Sequence, residues 1–353
     1  MRLGFHLTPF WSPTDRPPHQ ILDEAIEVVA AASKMGFDWV SIGQHWISHP
    51  TIWPQPFPFL ARIAPETGSM QLKTSVLLVP LLNPVDIAET VATLDHLCHG
   101  RLVLGVSVGY REQELVAVGL SRRDRAAKLE ESLQIMKLLW TGQEVNFEGR
   151  YTRLEGARMG FAPYQKPHPP IEMGAQSTKA VRRAARISDG VFMGPQVAWR
   201  DVAELAGVFR QERQVVGNGT PGSIGASRCL MVGRDKEDAA SRARQYLDKT
   251  FHMYDSWRMQ EADMVPLQLD SRIELDDWTI HGSTSDCVET LLAARDEHGL
   301  DAVGFTIYSL PRTPQARIEY LQQIAEDIVA PVKRTTGRPS AATDGIAARP
   351  VTA

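Results

Sequence analysis

The chain predicts a (β/α)8 barrel with insertions, and three observations carry that expectation. Eight short apolar runs of strand character alternate with helical patterns along its 353 residues. No hairpin turn joins one of these runs to the next, so the sheet should be parallel, and eight such units are the count at which it closes. The first strand-to-helix connection, "LTPFWSPTDRP", lacks the glycines that a doubly wound open sheet wants there, which places that architecture second.

In chain order the strands are expected at "LGFHLTP" (3–9), "FDWVSIGQ" (37–44), "LKTSVLLV" (72–79) and "RLVLGVSV" (101–108). They continue at "PIEMGA" (170–175), "DGVFMG" (189–194), "ASRCLMV" (226–232) and "DAVGFTIY" (301–308). Helices follow at 19–35, 57–69, 85–98, 122–140, 177–187, 199–213, 235–255 and 314–329, with an extra one at 284–298. The helical period is plainest over 122–140, where Leu129, Leu133, Met136 and Trp140 share one face. The surplus over the ~250 residues of a plain barrel falls at 46–58, 141–169 and 252–283. The middle surplus contains "EVNFEGRYTRLEG", a β-hairpin outside the barrel with Gly149 in its turn. One domain is therefore expected over 1–332, with 333–353, rich in Gly, Ala, Thr and Pro, as a flexible tail.

With 43% hydrophobic residues the chain can bury a large core. A net charge of −4 gives no electrostatic reason to expect nucleic acid or an anionic membrane as a partner. Cys98, Cys229 and Cys287 lie far apart with no CxxC pair, which fits a reducing compartment and argues against a zinc site. No signal-peptide pattern and no apolar stretch of about 20 residues is present, so a cytoplasmic location is expected. No HxH or HExxH grouping suggests a metal, and no Asp/Glu pair suggests glycoside hydrolysis.

In such a barrel the active site forms at the C-terminal ends of the strands. Those ends carry Phe10 and Trp11, then Gln44, His45 and Trp46, then Ser107 and Tyr110, then Gly174, Ala175, Gln176 and Ser177. Aromatic and small polar groups predominate, which suits a flat aromatic ligand. His45 closes an apolar strand and is either a spare core histidine or a proton donor. Ser177 or Thr178 can cap the next helix, and free N–H groups there make either an ordinary turn or a phosphate site. Arg122, Arg123 and Arg125 begin a helix at the end where the dipole prefers negative charge, so they form either a solvated first turn or the partners of a nearby anion. Phe10, Trp11, Trp46 and Trp53 together would line an apolar substrate pocket. Thr74 and Ser75, polar in a strand that should be buried, need partners and are expected to bond to neighbouring backbone.

The segments "MGFDWVSIGQHW", "LLNPVDIAETVATLDHLCHGRLVLGVSVGY", "RAAKLEESLQIMKLLWTGQEVNFEGRYTRL", "PIEMGAQSTKAVRRAARISDGVF" and "HGSTSDCVETLLAARDEHGLDAVGFTIYSLP", in this order, resemble the bacterial luciferase-like flavin-dependent monooxygenase family over about residues 1–332. The resemblance implies a flavin at the strand C-termini, either FMN, reduced by a separate NAD(P)H-dependent flavin reductase, or a deazaflavin coenzyme. In FMN members a C4a-peroxyflavin formed with dioxygen oxidises an organic substrate. Position by position, His45 matches the active-site histidine and Arg125 the arginine that pairs with the cofactor phosphate. Gly174, Ala175, Gln176, Ser177 and Thr178 match the phosphate turn, while Ser107 and Tyr110 fall near the flavin. Thr74, Ser75 and Val76 lie where the family carries a non-proline cis peptide, at Thr74–Ser75 or Ser75–Val76. Many members have an acidic residue just before the histidine, where this chain has Gln44. If Gln44 reaches the imidazole, His45 should serve more as a hydrogen-bonding group than as a proton donor. A monooxygenase of a hydrophobic organic compound is the leading expectation. The alternatives are a deazaflavin-dependent dehydrogenase or reductase and a non-catalytic flavin-binding protein. "GAQST" in the phosphate turn favours FMN. A homodimer is implied by analogy, and Trp257, Met259, Met264 and Trp278 add apolar surface for the substrate.

Overall fold

The computed structural model describes residues 1–7, 16–49, 51–217, 221–256 and 275–337. Strands β1 (Arg2–His6), β2 (Trp39–Ile42) and β3 (Gln71–Thr74) lead into the short β4 (Leu77–Leu78) and β5 (Leu102–Ser107). A hairpin, β6 (Val145–Glu148) and β7 (Arg153–Ala157), stands apart as an antiparallel pair. Then come β8 (Ile171–Ala175), β9 (Gly190–Met193), β10 (Ser223–Val232), β11 (Thr279–Gly282) and β12 (Ala302–Thr306). The parallel order β1–β2–β3–β5–β8–β9–β10–β12 returns to β1 through the β1–β12 pairing, so the sheet is a closed eight-stranded barrel.

Helices α1 (Pro18–Ala32), α2 (Pro56–Ile63) and α3 (Pro84–Leu97) precede a short α4 (Glu112–Ala117) and the long α5 (Arg125–Leu139). The outer layer continues with α6 (Thr178–Ile187), α7 (Trp199–Val216), α8 (Lys236–Ser256), α9 (Thr284–Asp296), α10 (Pro314–Ile324) and α11 (Ala330–Thr335). Sequence chemistry explains their starts. Asn83 accepts from the Val85 N–H at 2.8 Å ahead of Pro84 in α3, and Ser283 with Asp286 forms a reciprocal cap on α9. Leu129, Leu133, Met136 and Trp140 are all buried, as the period over α5 requires.

Four details differ from the sequence expectation. The third strand is split, because a cis peptide at Ser75–Val76 interrupts it between β3 and β4. Strand β10 begins three residues early, and its far end pairs with β11, a four-residue strand too short to carry a readable alternation. The last helix runs to Thr335, past the start of the expected tail. Lys333 is buried there, donating to the Gly36 carbonyl at 2.6 Å and pairing with Asp38 at 2.9 Å. The rest of that tail, from residue 338, lies outside the described residues, as do Phe10, Trp11, Trp257, Met259 and Met264.

Inside the barrel, Lys73 on β3 and Glu172 on β8 form a buried ion pair across the intervening β5. The Lys73 ammonium lies 3.5 Å from the centre of the Phe192 ring, and Ser223 donates to Glu172 at 3.0 Å. Burial alone would push the Glu172 carboxyl up; the charge and hydrogen bond of Lys73, helped by Arg2 and Ser223, outweigh it and hold it below the usual range.

Gly105 on β5 is a packing requirement. The Thr74 carbonyl presses so close that an added Cβ would sit 2.0 Å from its oxygen, and Thr74 Oγ1 donates to the Gly105 carbonyl at 2.8 Å. Gly105→Ala should therefore lower unfolding free energy by about 1–3 kcal/mol, measured by urea titration; an unchanged midpoint would show that β3 yields freely.

Candidate active site

The C-terminal ends of the barrel strands open into a cleft of about 600 Å³. Gln44, His45, Trp53, Ser75, Val76, Ser107, Tyr110, Arg125, Gly174, Ala175, Gln176 and Ser177 all line it. The structure thus gathers on one cavity residues drawn from five separate segments of the sequence.

Three other candidates lie elsewhere. Thr74 is spent on the Gly105 carbonyl. Thr178, the first residue of α6, is exposed and does not line the cleft. Trp46 packs with Leu78, Leu81, Leu115 and Leu120, and its indole N–H donates to Gln55 at 2.9 Å. Continuation of the β2 register past Gln44 does not carry Trp46 into the cavity.

Gln44 does not contact the His45 ring among its hydrogen bonds. Its carbonyl oxygen accepts from the Leu78 N–H at 2.7 Å and its amide donates to Gln55 at 3.4 Å, so it ties the end of β2 to β4. The carboxylate that faces the imidazole is Glu114, on α4 and 69 residues further along, with Oε1 2.9 Å from His45 Nδ1. The same oxygen accepts from the Trp46 backbone N–H at 2.9 Å and from Arg111 at 3.3 Å. Trp53 and Tyr110 close on the ring edge-to-face, at centroid distances of 4.7 and 5.6 Å. A carboxylate on Nδ1 favours the tautomer with its hydrogen there and orients the ring. A glutamate beside Leu115 on the buried side of a short helix is the one local sign that Glu114 is paired.

On the other side, two helix N-termini converge. Arg125 and Ala126 open α5, and Ser177, Lys179 and Ala180 open α6, and all five line the cleft. Ser177 caps α6 by accepting from the Ala180 N–H at 3.4 Å. Arg122, Arg123 and Arg183 add positive charge around the same opening, with Arg122 paired to Glu112 and Arg183 to Glu130. Two positive helix ends plus arginine give this wall the chemistry that suits an anion, in keeping with cations placed where the dipole of α5 disfavours them. Gln176 donates to Gln196 at 2.8 Å, and its own carbonyl oxygen is buried with no hydrogen-bond partner among the described residues. That acceptor wants a donor from a ligand. Phosphate-bearing flavins carry both an anion and N–H and O–H donors, so these residues fit such a group. Among the described residues no cluster of His, Cys, Asp and Glu could hold a metal ion, and no helix is long and apolar enough to cross a membrane.

A family model described as "Luciferase-like monooxygenase" matches residues 1–301. The chain belongs to the luciferase-like monooxygenase family. It is similar to an F420-dependent glucose-6-phosphate dehydrogenase of Nakamurella multipartita, 36% identical over 47% of this chain and 50% of that enzyme. The alignment thus spans about half the length of that relative. This luciferase-like fold superposes on a monooxygenase from Streptomyces bottropensis with a TM-score of 0.80 and 21% identity, covering 94% of this chain and 99% of that one. It also superposes, at TM-score 0.77 and 19% identity over 94% and 98% of the two chains, on the oxygenating constituent of 3,6-diketocamphane monooxygenase from Pseudomonas putida in complex with FMN.

His6, at the end of β1, also lines the cleft, and no motif in the sequence marks it. Burial, reinforced by the charge of Lys73, pushes its pKa down from 6.5 to about 3. In the unfolded chain the same imidazole takes up a proton near pH 6.5, so between that pH and about 3 the unfolded state binds more protons. Stability should therefore fall on acidification through this window, with His6 contributing up to about 1.4 kcal/mol per pH unit. Comparing urea unfolding of the parent and His6→Phe from neutral to acid pH should show a shallower slope in the variant; parallel slopes would mean the ring is protonated in the fold.

Proposed function

We propose that this member of the luciferase-like family is an oxidoreductase that uses reduced FMN and dioxygen to oxidise a hydrophobic organic substrate. The observation that carries this reading is the pairing of a phosphate-sized cradle with a carboxylate-held histidine across one cleft. Arg125 and the N-termini of α5 and α6 would hold the phosphate, with Gln176 and Ser107 on the adjoining wall. When bound, the reduced flavin supplies two electrons, and from dioxygen one oxygen atom passes to the substrate and the other to water.

The chain's own part is positioning and proton handling. Glu114 orients His45, whose Nε2 gives or takes the proton that the oxidation demands. Trp53 and Tyr110 cover the ring and keep bulk water from it. An NAD(P)H-dependent flavin reductase would deliver the reduced cofactor, and the family analogy suggests a homodimer.

A specific observation favours a second reading. Arg122, Arg123, Lys179 and Arg183 extend the positive rim beyond what a single phosphate needs, and the curated relatives include deazaflavin-dependent dehydrogenases. A deazaflavin coenzyme with a longer anionic tail would use that surplus, and the reaction would then be hydride transfer.

Titrating the protein with FMN, reduced FMN and the deazaflavin while following fluorescence separates the two. Binding of the deazaflavin alone would overturn the FMN reading, and no binding in any form would leave only a non-catalytic role. Arg125→Ala should raise the FMN dissociation constant about tenfold or more with little change in melting temperature. A sharp loss of melting temperature with affinity kept would make Arg125 a structural residue.

A further inference from the structure

The cationic features of the cleft and the His45 box lie on the β2–β8 side, while β1, β12 and β10 contribute a histidine and two hydroxyls. His6 ends β1, Thr306 ends β12 and Ser227 lies within β10; all three line the cleft and each is more than nine-tenths buried. Because these residues sit on strands and not on the loops beyond them, they form the inner end of the cavity. Neighbouring registers bring them together: β1 and β12 run in step through Phe5 and Phe305, and Ser227 stands level with Gly304.

Their hydrogen bonds are incomplete in a particular way. His6 Nδ1 lies 2.5 Å from Ser41 Oγ, and Ser41 Oγ in turn donates toward the Phe5 carbonyl at 3.5 Å. With the Ser41 hydrogen directed to the Phe5 carbonyl, Ser41 can only accept from His6 Nδ1–H, and in that tautomer Nε2 carries a lone pair. That Nε2 is buried and has no hydrogen-bond partner among the described residues. It lies over Gly304, where an added Cβ would come within 2.6 Å of it, so the glycine makes room for the ring. Ser227 Oγ and Thr306 Oγ1 bond to each other at 3.3 Å. Two hydroxyls carry two hydrogens and that bond uses one, so the pair keeps one hydrogen to donate.

We propose that this inner wall is a recognition site for a hydroxyl on the substrate, which donates to His6 Nε2 and accepts from the Ser227–Thr306 pair. A hydroxyl gives one hydrogen bond and takes one, and the wall offers the complement of both. A purely hydrocarbon end would leave the imidazole nitrogen buried and unsatisfied, which costs more than the bond itself gains. The substrate class is thereby narrowed from hydrophobic compounds in general to an apolar, flat molecule bearing an alcohol or phenol at its inner end. This rests on the reading that the cofactor occupies the β3–β8 side and leaves the β1–β12–β10 side to substrate. The burial that keeps the imidazole neutral, aided by the Lys73 charge, preserves the acceptor at ordinary pH.

The test compares a naphthol with the methylnaphthalene of the same shape, as equilibrium ligands of the whole chain, with and without oxidised FMN. The naphthol should bind about tenfold tighter, and that preference should shrink to within about twofold in His6→Phe, which keeps an aromatic ring against Phe192. Thr306→Val should lose part of it. In the unaltered protein, ¹⁵N NMR of the His6 ring should report the Nδ1–H tautomer, with Nε2 shifting on naphthol binding and not on methylnaphthalene binding. Equal affinities for the two ligands, or an Nε2 signal indifferent to the naphthol, would overturn the proposal and leave Nε2 to a buried water. Because binding is read without turnover, such a failure is separable from a failure to bind FMN, which the flavin titration reports by itself.

Discussion

The Lys73–Glu172 pair is the interaction around which the barrel interior is arranged. An eight-stranded parallel barrel must fill its inside with side chains, and here two of them are charged and shut away from water. Such a pair survives only with further partners, because desolvating two ions costs several kcal/mol each. Ser223, Arg2 and the Phe192 ring supply those partners from β10, β1 and β9. The pair therefore braces strands on both sides of the barrel and sets the electrostatic character of the layer next to the cleft. Burial lowers the His6 pKa most, and the nearby Lys73 ammonium lowers it further by disfavouring a second positive charge beside it.

Above that layer the two halves of the cleft are held by different physics. One half is electrostatic and built from backbone: α5 and α6 point their N-termini at one place, and the arginines follow. The other is a packed box in which Glu114, Trp53 and Tyr110 leave the His45 ring a single orientation. Arg111 strengthens the box from behind, bonding Glu114 and the carbonyls of Trp46 and Ile47 at 2.6 and 3.2 Å. The loop after β2 and the helix after β5 are thus tied into one unit, so the histidine is placed by two segments far apart in the chain.

Relatives by sequence include a deazaflavin-dependent dehydrogenase, while superposable folds include monooxygenases, one with FMN bound. The shared barrel is compatible with both, because a fold by itself does not fix the chemistry carried out on it.

Much of this could be read from residue order alone. The eight barrel strands and the helices around them were legible because apolar periodicity, glycines and capping residues act over a few positions. So were His45 at a strand end and Arg125 at a helix start, while the cis peptide was implied only by the family resemblance, at one of two bonds. What local pattern could not supply was pairing at a distance. Gln44 is adjacent to the imidazole in sequence, yet its side chain is held by the Leu78 N–H and by Gln55. Glu114 reached His45 only through the fold, as Glu172 reached Lys73 across 99 residues. The sequence by itself determined the barrel, because strand and helix propensities are local, and the order of its segments carried the resemblance to the family. Only the tertiary structure decided which carboxylate faces the histidine and which wall of the cleft is polar, because closing the barrel sets those distances.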